Sequence, residues 1–415
     1  MKIGICTVGS TGDIQPYLAL AVSLQDAGHQ IKVISHPFHR HRFEQFGLSF
    51  SACGPDTTQQ ELNAVMDKIL SMRNPLQQLK ILLLDAILEQ GESYFYASKA
   101  ALMDCDLAIC HMIDFLGSEA AAQLGMPRIG GILAPVGIAS RYSPPARMPS
   151  LGPWLNPLLW KLLHLALLPL DQACADFLKR VGGPTAIPRG YHILSPDLNL
   201  IASSPTLAPT YKDLPRNMEV MGPWILKEKQ FQPSEDLVAF LERHPKPVIV
   251  SFGSMGGTHG PQLAETVLEA LARGNRPAIL QRGYSGLISG RPRENVFLTD
   301  FVPHEWLFPQ AACVIHHGGA GTSTAVARAG VPHIPVVFFA DQPFFAKNIR
   351  RLGIGTKMLW YHQMNPDNLA RRLEEACDRP EMQARAKRLQ PVFLAEEGNL
   401  RTVNRIERFL REVRP

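Results

Sequence analysis

Glycines, histidines and an acid–amide pair lie close together in the stretch HHGGAGTSTAVARAGVPHIPVVFFADQPFF, residues 316–345. A predicted strand, Cys313–His316, leads into the glycines, and a predicted helix, Ser323–Ala329, follows them. The start of a helix presents unpaired N–H groups and the positive end of the helix dipole, which suits phosphate oxygens. A tight turn needs one glycine, so a glycine cluster beside two histidines favours a ligand-binding turn over a merely structural one.

The side chains around these glycines could complete an anion site. His317 can donate a ring N–H to a phosphate oxygen, and Thr322 adds a hydroxyl. Asp341 and Gln342 follow the next predicted strand, His333–Val337, and offer the acceptors and donors that sugar hydroxyls require. Capping of the following helix explains Asp341 alone, whereas sugar contact explains both residues. The pattern therefore predicts a site for a diphosphate and a sugar.

Two further strand-to-helix turns have related compositions. SFGSMGG, residues 251–257, follows the strand at Val248 and places a second glycine-rich turn on the same sheet. VGSTGDIQP, residues 8–16, joins the first strand to the first helix. Its Gly9 and Gly12 lack the third glycine of a dinucleotide fingerprint, and the second strand ends without the expected acid. Asp13 is either the N-cap of the helix or a general base at a strand end, and position alone leaves both open.

Alternating strands and helices must position these turns. Strand-like runs and helical patterns alternate from Lys2 to Ala202 and again from Pro247 to Val337, which predicts parallel sheets covered by helices. We therefore expect an α/β protein with two Rossmann-like, doubly wound domains facing a cleft, and with a C-terminal helix. The expected units are an N-terminal domain at 1–215, a linker at 216–240, a C-terminal domain at 241–397 and a helix at 398–415 that returns to the N-terminal domain.

Composition excludes several classes of protein. At 415 residues, with 46% hydrophobic and 19% charged residues, the chain is globular and long enough for two domains. Its net charge of +5, without a long Lys/Arg run, does not indicate nucleic-acid binding. The seven cysteines are scattered and a strand pattern begins at Lys2, so a reducing, cytoplasmic location is expected rather than secretion. Composition does not bear on the oligomeric state.

The stretch Leu151–Leu170, LGPWLNPLLWKLLHLALLPL, is the longest apolar run. Prolines, Lys161 and His164 interrupt it, so it does not fit a membrane-spanning helix of about 20 apolar residues. A short helix over Leu158–Leu168 is expected instead. It is buried in the core, lines an apolar acceptor pocket, or touches lipid as a peripheral membrane contact. The sequence leaves these three interpretations open.

Charged clusters elsewhere predict no further site. Asp104 and Asp106 precede a strand rather than following one, and are interpreted as a surface entry to that strand. His, Cys and carboxylate residues nowhere have convincing metal-ligand spacing, so neither a metal nor a cofactor is expected. The basic segment His36–Arg42 is expected to be a solvated face.

The stretch from His316 to Pro343 resembles the donor signature of a large family of nucleotide-sugar glycosyltransferases. That family includes sterol glucosyltransferases, macrolide and glycopeptide-antibiotic glycosyltransferases, and plant secondary-product enzymes. The likeness continues through FVPHEWLFPQAACVIHHGG upstream and KNIRRLGIG downstream, and TVGSTGDIQPYLALAVSLQDAGHQIKVIS and VIVSFGSMGG resemble the family's opening segment and phosphate turn. The middle of the chain, Thr57–Ser195, carries little that can be matched. The resemblance implies a GT-B architecture, with the donor bound mainly by the second domain and the acceptor by the first.

The resemblance also implies roles for individual residues. The plant branch has a catalytic histidine in Gly-His-x-x-Pro, whereas Gly12-Asp13-Ile14-Gln15-Pro16 places an aspartate there. This departure matches the sterol and antibiotic branch and makes Asp13 the expected base. The residues expected to bind the donor are His317, Gly319, Ala320, Gly321 and Thr322 with Ser254 at the diphosphate, Asp341 and Gln342 at the sugar, Phe301 and Val302 at the uracil or thymine, and also Ser10, Gly12, Arg282 and His304. The expected acceptor residues are Ile14, His111, Met112, Phe115 and Trp160.

These residues imply single-displacement transfer of a hexose with inversion at the anomeric carbon. By family frequency the sugar is glucose and the nucleotide UDP rather than dTDP, and the acceptor is a hydrophobic small molecule: a sterol, triterpenoid, flavonoid or polyketide. The helix dipole and His317 would stabilise the leaving diphosphate in place of a metal. Two other functions remain open on the same fold. They are a sugar-nucleotide epimerase or hydrolase, which would need no acceptor, and a non-catalytic binding homologue.

Overall fold

Two parallel β-sheets organise the described part of the chain, which comprises residues 1–145, 148–183, 195–227, 231–255, 257–283 and 294–413 of this computed structural model. The strands of the first sheet are β1 (Lys2–Cys6), β2 (Gln30–Ser35), β3 (Ser49–Ala52), β4 (Leu107–His111), β5 (Arg128–Ile132), β6 (Leu198–Ile201) and β7 (Met218–Val220). Those of the second are β8 (Val248–Ser251), β9 (Ala278–Gln281), β10 (Val296–Thr299), β11 (Cys313–His316), β12 (His333–Val337) and β13 (Leu359–Trp360).

Helices connect these strands. They are α1 (Thr11–Asp26), α2 (Arg40–Glu44), α3 (Gln59–Ser71), α4 (Pro75–Lys80), α5 (Gly91–Leu102), α6 (Phe115–Gln123), α7 (Asn156–Arg180), α8 (Glu235–Arg243), α9 (Gly260–Arg273), α10 (His304–Leu307), α11 (Ala320–Ala329), α12 (Gln342–Leu352), α13 (Pro366–Cys377), α14 (Pro380–Leu394) and α15 (Gly398–Val413). A π-helical segment lies at Ile81–Leu88, and 3₁₀ turns lie at Pro37–His39, Pro135–Gly137, Gly257–His259, Phe308–Gln310 and Tyr361–Gln363.

Both sheets follow the doubly wound order. The described strands run β3-β2-β1-β4-β5-β6-β7 in the first sheet and β10-β9-β8-β11-β12-β13 in the second. Strand order reverses between β1 and β4, which pair in parallel, and between β8 and β11, which also pair in parallel. Such a reversal leaves a crevice at the carboxyl ends of the two strands, where open α/β sheets bind ligands. The predicted fold class is confirmed, and each sheet has one such switch point among its described strands.

Contacts divide the chain into two units. The first contains Met1–Pro205, Pro209–Leu226 and Glu397–Pro415, and the second contains Thr206–Ala208 and Lys227–Glu396. The expected end of the first domain at 215 falls too early, because β7 pairs with β6 in the first sheet. The first unit therefore extends to Leu226. Residues 228–230 of the expected linker lie outside the described part of the chain.

The last helix, α15, belongs to the first unit. Its apolar face, which includes Ile406 and Phe409, is buried, as its amphipathic sequence predicts. Polar contacts fix it further: the Trp224 indole N–H donates to the Thr402 hydroxyl over 2.7 Å, and the Asn399 amide donates to the Ala19 carbonyl over 3.1 Å. Packing on α1 therefore holds this terminus against the helix that follows β1.

Helix α7 is longer and more exposed than expected. It covers Asn156–Arg180 instead of Leu158–Leu168 and continues through Pro169. By length and composition it could cross a membrane, and only 11% of its most apolar window is buried. Its C-terminal part packs into the core through Phe177 and Leu178. Burial of the apolar run in the core is therefore the wrong interpretation for the N-terminal half of this helix.

Candidate active site

Hydrogen bonds from Ser10 hold the Asp13 side chain in the turn after β1. Ser10 is the N-cap of α1 and Asp13 is the third residue of the helix, so Asp13 is not the N-cap that we considered. The Ser10 backbone N–H and hydroxyl both donate to Asp13 Oδ2, over 2.8 and 2.9 Å. Gly9 makes the turn possible, because its φ of +113° is left-handed and a Cβ there would meet Oδ2 at 2.5 Å. Ser10 was expected to bind the donor substrate, but its backbone N–H and its hydroxyl both donate to Asp13 instead.

His111 reaches the same turn from the other side of the switch point. It ends β4, and its Nε2 lies 3.8 Å from Asp13 Oδ1. Its Nδ1 accepts a hydrogen bond from the Ile113 N–H over 3.3 Å, which places the ring proton of the neutral form on Nε2. Burial lowers the pKa of His111, and the nearby Asp13 carboxylate opposes that shift only in part. A neutral imidazole N–H therefore faces the Asp13 carboxylate.

A second histidine supports the turn. The Nε2 of His39 lies 3.0 Å from the Gly9 carbonyl oxygen, and since a carbonyl only accepts, Nε2 must carry the proton. Burial lowers the pKa of His39 to about 4. The expectation of a solvated face over His36–Arg42 is therefore wrong for His39, because the turn between Pro37 and His39 directs this side chain inward. Nothing in the local sequence signals this contact, which joins residues 30 positions apart.

Most of the expected acceptor residues are packing residues. Ile14 and Phe115 lie in the cores of the first unit. Trp160 is buried, and its indole N–H donates to the Ser143 carbonyl over 2.8 Å. Met112 is partly buried against a small cluster around Ile132. The structure does not support an acceptor contact by the side chains of Ile14, Phe115 or Trp160, because apolar residues beside a strand end are drawn into the core first.

The turn after β11 presents the start of α11. Gly318 takes a left-handed φ of +84°, and Gly319 is the N-cap. The first backbone bond back to the cap comes from Ser323, so the N–H groups of residues 320–322 precede the ladder. A Cβ on Gly319 would collide with the His317 ring, whereas a Cβ on Gly321 would meet nothing within 4 Å in the described part of the chain. The His317 ring therefore leaves no room for a side chain at position 319, whereas position 321 has room for one.

Two buried histidines beneath this turn were missed by the sequence analysis. His316 Nδ1 accepts from the Gly318 N–H over 3.1 Å, so its Nε2 carries the proton and donates to His333 Nδ1 over 3.1 Å. Burial lowers the pKa of His316 well below the ordinary value and that of His333 to about 3. This neutral pair fixes the strand end below the glycines. The only sequence signal was the doubled histidine at the strand end.

His317 lies between the turns after β8 and β11. It is partly buried, and its Nδ1 has no hydrogen-bond partner among the described residues. Loss of hydration lowers the pKa of His317 to about 4, and the nearby Ser251 backbone opposes this shift. A Cβ on Gly253 would come within 3.4 Å of the ring. Ser254 lies in the same β8 turn, whose Gly256 is outside the described residues.

Asp341 and Gln342 start α12 in different ways. Gln342 is buried, and its Oε1 accepts from the N–H groups of Phe338 and Phe339 over 2.6 and 3.2 Å. Asp341 occupies the N-cap position, but among the described residues its side chain makes no capping hydrogen bond. Ala340 before it adopts φ +54°, a strained conformation for a residue with a Cβ. Capping therefore does not account for Asp341, while the Gln342 oxygen has a structural use.

The remaining donor candidates follow β9 and β10. Phe301 is 63% exposed, whereas the Val302 side chain is in the core and its carbonyl accepts from Gln281 over 2.7 Å. Any contact of Val302 with a base would thus involve its main chain. His304 stacks on Phe308 with 4.2 Å between ring centroids, and burial lowers its pKa to about 4. Arg282 pairs with Asp300 over 3.0 Å.

The acidic pair before β4 has partners within the first unit. Asp104 forms ion pairs with Lys2 and Lys32, and these lower its pKa. Asp106 accepts from the Lys2 backbone N–H over 2.8 Å. This agrees with a surface entry to the strand. Within residues 1–145, 148–183, 195–227, 231–255, 257–283 and 294–413, no three His, Cys, Asp or Glu side chains come together as a metal site would require.

Each unit thus gathers part of the predicted set at its own switch point. In the first, Ser10, Gly12, Asp13 and His111 come together. In the second, the turns after β8 and β11 and the start of α12 adjoin, since β11 pairs with both β8 and β12. A Cβ on Gly318 would contact the Gln342 carbonyl at 3.3 Å, which shows how closely the two loops approach.

Comparison with known proteins finds glycosyltransferases similar to both parts of the chain. The N-terminal domain of glycosyltransferase family 28 matches residues 3–129, and the C-terminal domain of the erythromycin biosynthesis protein CIII-like family matches residues 279–408. A sterol 3-beta-glucosyltransferase of Arabidopsis thaliana is 29% identical over 99% of this chain and 68% of its own length. The O-mycaminosyltylonolide 6-deoxyallosyltransferase of Streptomyces fradiae is 29% identical over 96% of this chain and 95% of its own length.

The matched relatives differ in length. The chain spans 57% of a second Arabidopsis thaliana sterol 3-beta-glucosyltransferase and 26% of the Debaryomyces hansenii enzyme. Among solved structures, the calicheamicin glycosyltransferase CalG4 has a TM-score of 0.71 at 20% identity and covers 100% of this chain and 99% of its own. The glycosyltransferase VinC, solved in complex with DTDP, has a TM-score of 0.69 at 19% identity and covers 99% of this chain and 100% of its own. The chain therefore has the GT-B fold and is similar over nearly its whole length to glycosyltransferases of the sterol and macrolide group.

Proposed function

We propose that the protein is an inverting glycosyltransferase that moves glucose from UDP-glucose to a hydroxyl group of a hydrophobic small molecule, such as a sterol. The observation that carries the proposal is the pairing of Asp13 and His111 across the first switch point, with a donor-rich, uncharged turn at the second. The sterol and macrolide relatives support the choice of an apolar alcohol as acceptor and the sterol relatives support glucose.

Asp13 would act as the general base. Its Oδ2 accepts two hydrogen bonds from Ser10, which leaves Oδ1 for the proton of the acceptor hydroxyl. The Nε2–H of His111, 3.8 Å away, is too far for a direct hydrogen bond but orients toward the carboxylate. His111 is thus a positioning residue whose ring N–H faces the Asp13 carboxylate. A base of this kind contributes about 10²–10⁴-fold to the rate.

The start of α11 would hold the diphosphate. As the glycosidic bond to the diphosphate breaks, negative charge grows on its oxygens, and the N–H groups of residues 320–322 with the helix dipole stabilise that charge. A neutral His317 adds a ring N–H. These groups replace a divalent cation, so EDTA should leave most of the activity intact. Strict dependence on Mn²⁺ or Mg²⁺ would contradict this part of the proposal.

The proposal is tested with purified protein, UDP-glucose, dTDP-glucose, and a panel of sterol, triterpenoid, flavonoid and polyketide acceptors. Nucleotide release is followed together with the mass and anomeric configuration of the product. We expect a β-glucoside from α-linked UDP-glucose, with release that depends on the acceptor. Donor turnover without acceptor would favour an epimerase or hydrolase, and tight donor binding without turnover on any acceptor would favour a non-catalytic homologue.

A further inference from the structure

An apolar stripe runs along the N-terminal half of α7. Leu158, Leu162 and Leu165 are spaced four and three residues apart, so they lie on one face of the helix. The turn before the helix extends this face with Trp154, which is 90% exposed. The leucines of the stripe, each between 43% and 61% exposed, are Leu155, Leu158, Leu162, Leu165 and Leu168.

The opposite face fixes the helix, so the stripe is presented outward. Asn156 accepts from the Leu151 N–H over 2.9 Å and donates to the Arg141 carbonyl over 2.9 Å. Trp160 is buried one turn further on, and Phe177 and Leu178 anchor the far end in the core. Rotation of the helix to bury the stripe would expose these residues. The exposed leucines are therefore a consequence of how α7 is held.

Charge around the stripe indicates what covers it. Residues 120–170 contain four cationic residues, Arg128, Arg141, Arg147 and Lys161, and no Asp or Glu; the next acid, Asp171, follows the stripe in α7. Arg141 and Lys161 are exposed, and so is Tyr142. The nearby Asp213 is also exposed, and its carboxylate accepts hydrogen bonds from the Ser140 hydroxyl and the Arg141 N–H, each over 2.8 Å. Leucines with Trp and Tyr beside cations match the composition of helices that lie at anionic membrane surfaces.

We propose that Trp154 and the leucine stripe of α7 dock the protein onto a membrane surface that contains anionic lipid, with the helix axis in the plane of the interface. The helix does not span the bilayer, because its C-terminal part is anchored in the core of the first unit. A second copy is a poorer occupant, since a two-fold contact would bring two copies of the same cationic surface together, whereas anionic lipid would neutralise it. A convex, exposed helix face also lacks the concave shape of a small-molecule site. This inference does not rest on the proposed transferase activity.

Vesicle binding by the full-length protein tests the proposal. Sedimentation with phosphatidylcholine vesicles is compared with sedimentation with vesicles that also contain phosphatidylserine. We expect clear binding to the anionic vesicles, and a fall of about tenfold or more in partitioning for Leu158→Gln/Leu162→Gln/Leu165→Gln, because apolar area drives such binding. The matched control is Leu394→Gln/Leu400→Gln, which removes two equally exposed leucines elsewhere and should bind as the wild type does. Arg141→Glu/Lys161→Glu should lose the preference for anionic vesicles.

A spectroscopic measurement locates the contact. Brominated lipid should quench tryptophan fluorescence in the wild type and much less in Trp154→Phe. Failure of the wild type to bind anionic vesicles, or equal binding by the triple glutamine variant, would overturn the proposal. So would a wild-type dimer in solution that the triple variant converts to a monomer without any change in vesicle binding, which would identify a second copy as the occupant. Loss of activity on a water-soluble acceptor with unchanged vesicle binding would make the stripe an acceptor wall instead.

Discussion

The two switch points of this protein share a topology and differ in chemistry. In the first unit the turn after β1 carries an acid, Asp13, and a histidine from β4 faces it at 3.8 Å. In the second unit the turn after β11 carries glycines, backbone N–H groups and His317, whose pKa is lowered to about 4. The first is suited to accept a proton and the second to stabilise an anion. Topology therefore places a site, and the residue types at the strand ends decide what each site does.

Supporting residues differ in the same way. In the first unit Ser10 donates a hydrogen bond to Asp13 Oδ2, and His39 donates one to the Gly9 carbonyl. These two bonds hold the turn after β1. In the second unit the His316–His333 pair holds the turn through the Gly318 N–H. Each histidine of this supporting set is kept neutral by burial. The supporting histidines of both units therefore hold their turns as neutral groups at neutral pH.

The largest effect is expected from Asp13→Asn. Asparagine keeps an oxygen acceptor for the Ser10 N–H but cannot accept the acceptor's proton, so the rate should fall by about 10²–10⁴-fold for an aliphatic alcohol while the melting temperature changes little. A phenol acceptor, which is more acidic, should lose less. Initial rates at saturating donor and thermal unfolding provide the measurement.

The chain supplies a matched control for this variant. Glu61 at the start of α3 accepts from the Thr58 N–H and hydroxyl, each over 2.8 Å, as Asp13 does from Ser10. Glu61→Gln therefore makes the same chemical change in the same kind of cap, and should leave activity intact. Wild-type rates for Asp13→Asn on every acceptor would make Asp13 a structural residue and turn attention to His111.

A smaller loss is expected from His317→Ala. Removal of one charge-stabilising donor should lower kcat by about tenfold to 10³-fold, because the N–H groups of α11 remain. Rates at saturating UDP-glucose and the melting temperature are compared with those of His362→Ala, an exposed histidine of the same unit. Full activity in a folded His317→Ala protein would remove the diphosphate assignment.

Gly321→Ala is a steric test of the same turn. In the described part of the chain a Cβ on Gly321 meets nothing within 4 Å, so the fold should tolerate it and the helix should gain slightly in stability. A bound diphosphate would meet the new methyl group, and we expect UDP affinity to fall by about tenfold. Gly137→Ala adds a methyl in similarly open space and is the control for calorimetric titration with UDP. Equal UDP affinity in both variants would place the nucleotide elsewhere.

The smallest change is expected in the pH dependence of donor binding. An ordinary histidine gains charge as the pH falls through about 6.5 and would then attract a diphosphate more strongly. The pKa of His317 is lowered to about 4, so the affinity for UDP-glucose should stay constant between pH 8 and 5.5. A rise in affinity near pH 6.5 would show that His317 is charged in the complex.

The lowered pKa values of three histidines also set the pH range in which UDP-glucose binding can be measured. His304, His317 and His333 have folded pKa values of about 4, 4 and 3, below the ordinary value near 6.5. The unfolded chain then binds more protons than the folded one as the pH falls from 6.5 toward 4. The free energy of unfolding of the second unit therefore decreases over that window, and binding is measured above it.

Sequence patterns determined the central strands and the turns that follow them. β11 and β12 have the predicted bounds, because strands buried on both faces of a parallel sheet are nearly continuous apolar runs. His317 and Gly319–Thr322 were found because they follow β11 directly, and Asp13 was found because it lies where the turn after β1 enters the first helix. Three short edge strands, β3, β7 and β13, were missed, because two to four residues are too few to give a clear periodic signal.

Only the tertiary structure decided which side chains are free to act. His39 and His111 reach the Asp13 turn from other strands or turns, and a local pattern cannot encode a contact across 30 or 98 residues. The same packing withdrew Ile14, Phe115 and Trp160 into the core and left the leucines of α7 outside it. An apolar residue reads alike in a sequence whether it is buried or exposed. Its environment is set by the elements packed against it, and these come from distant parts of the chain.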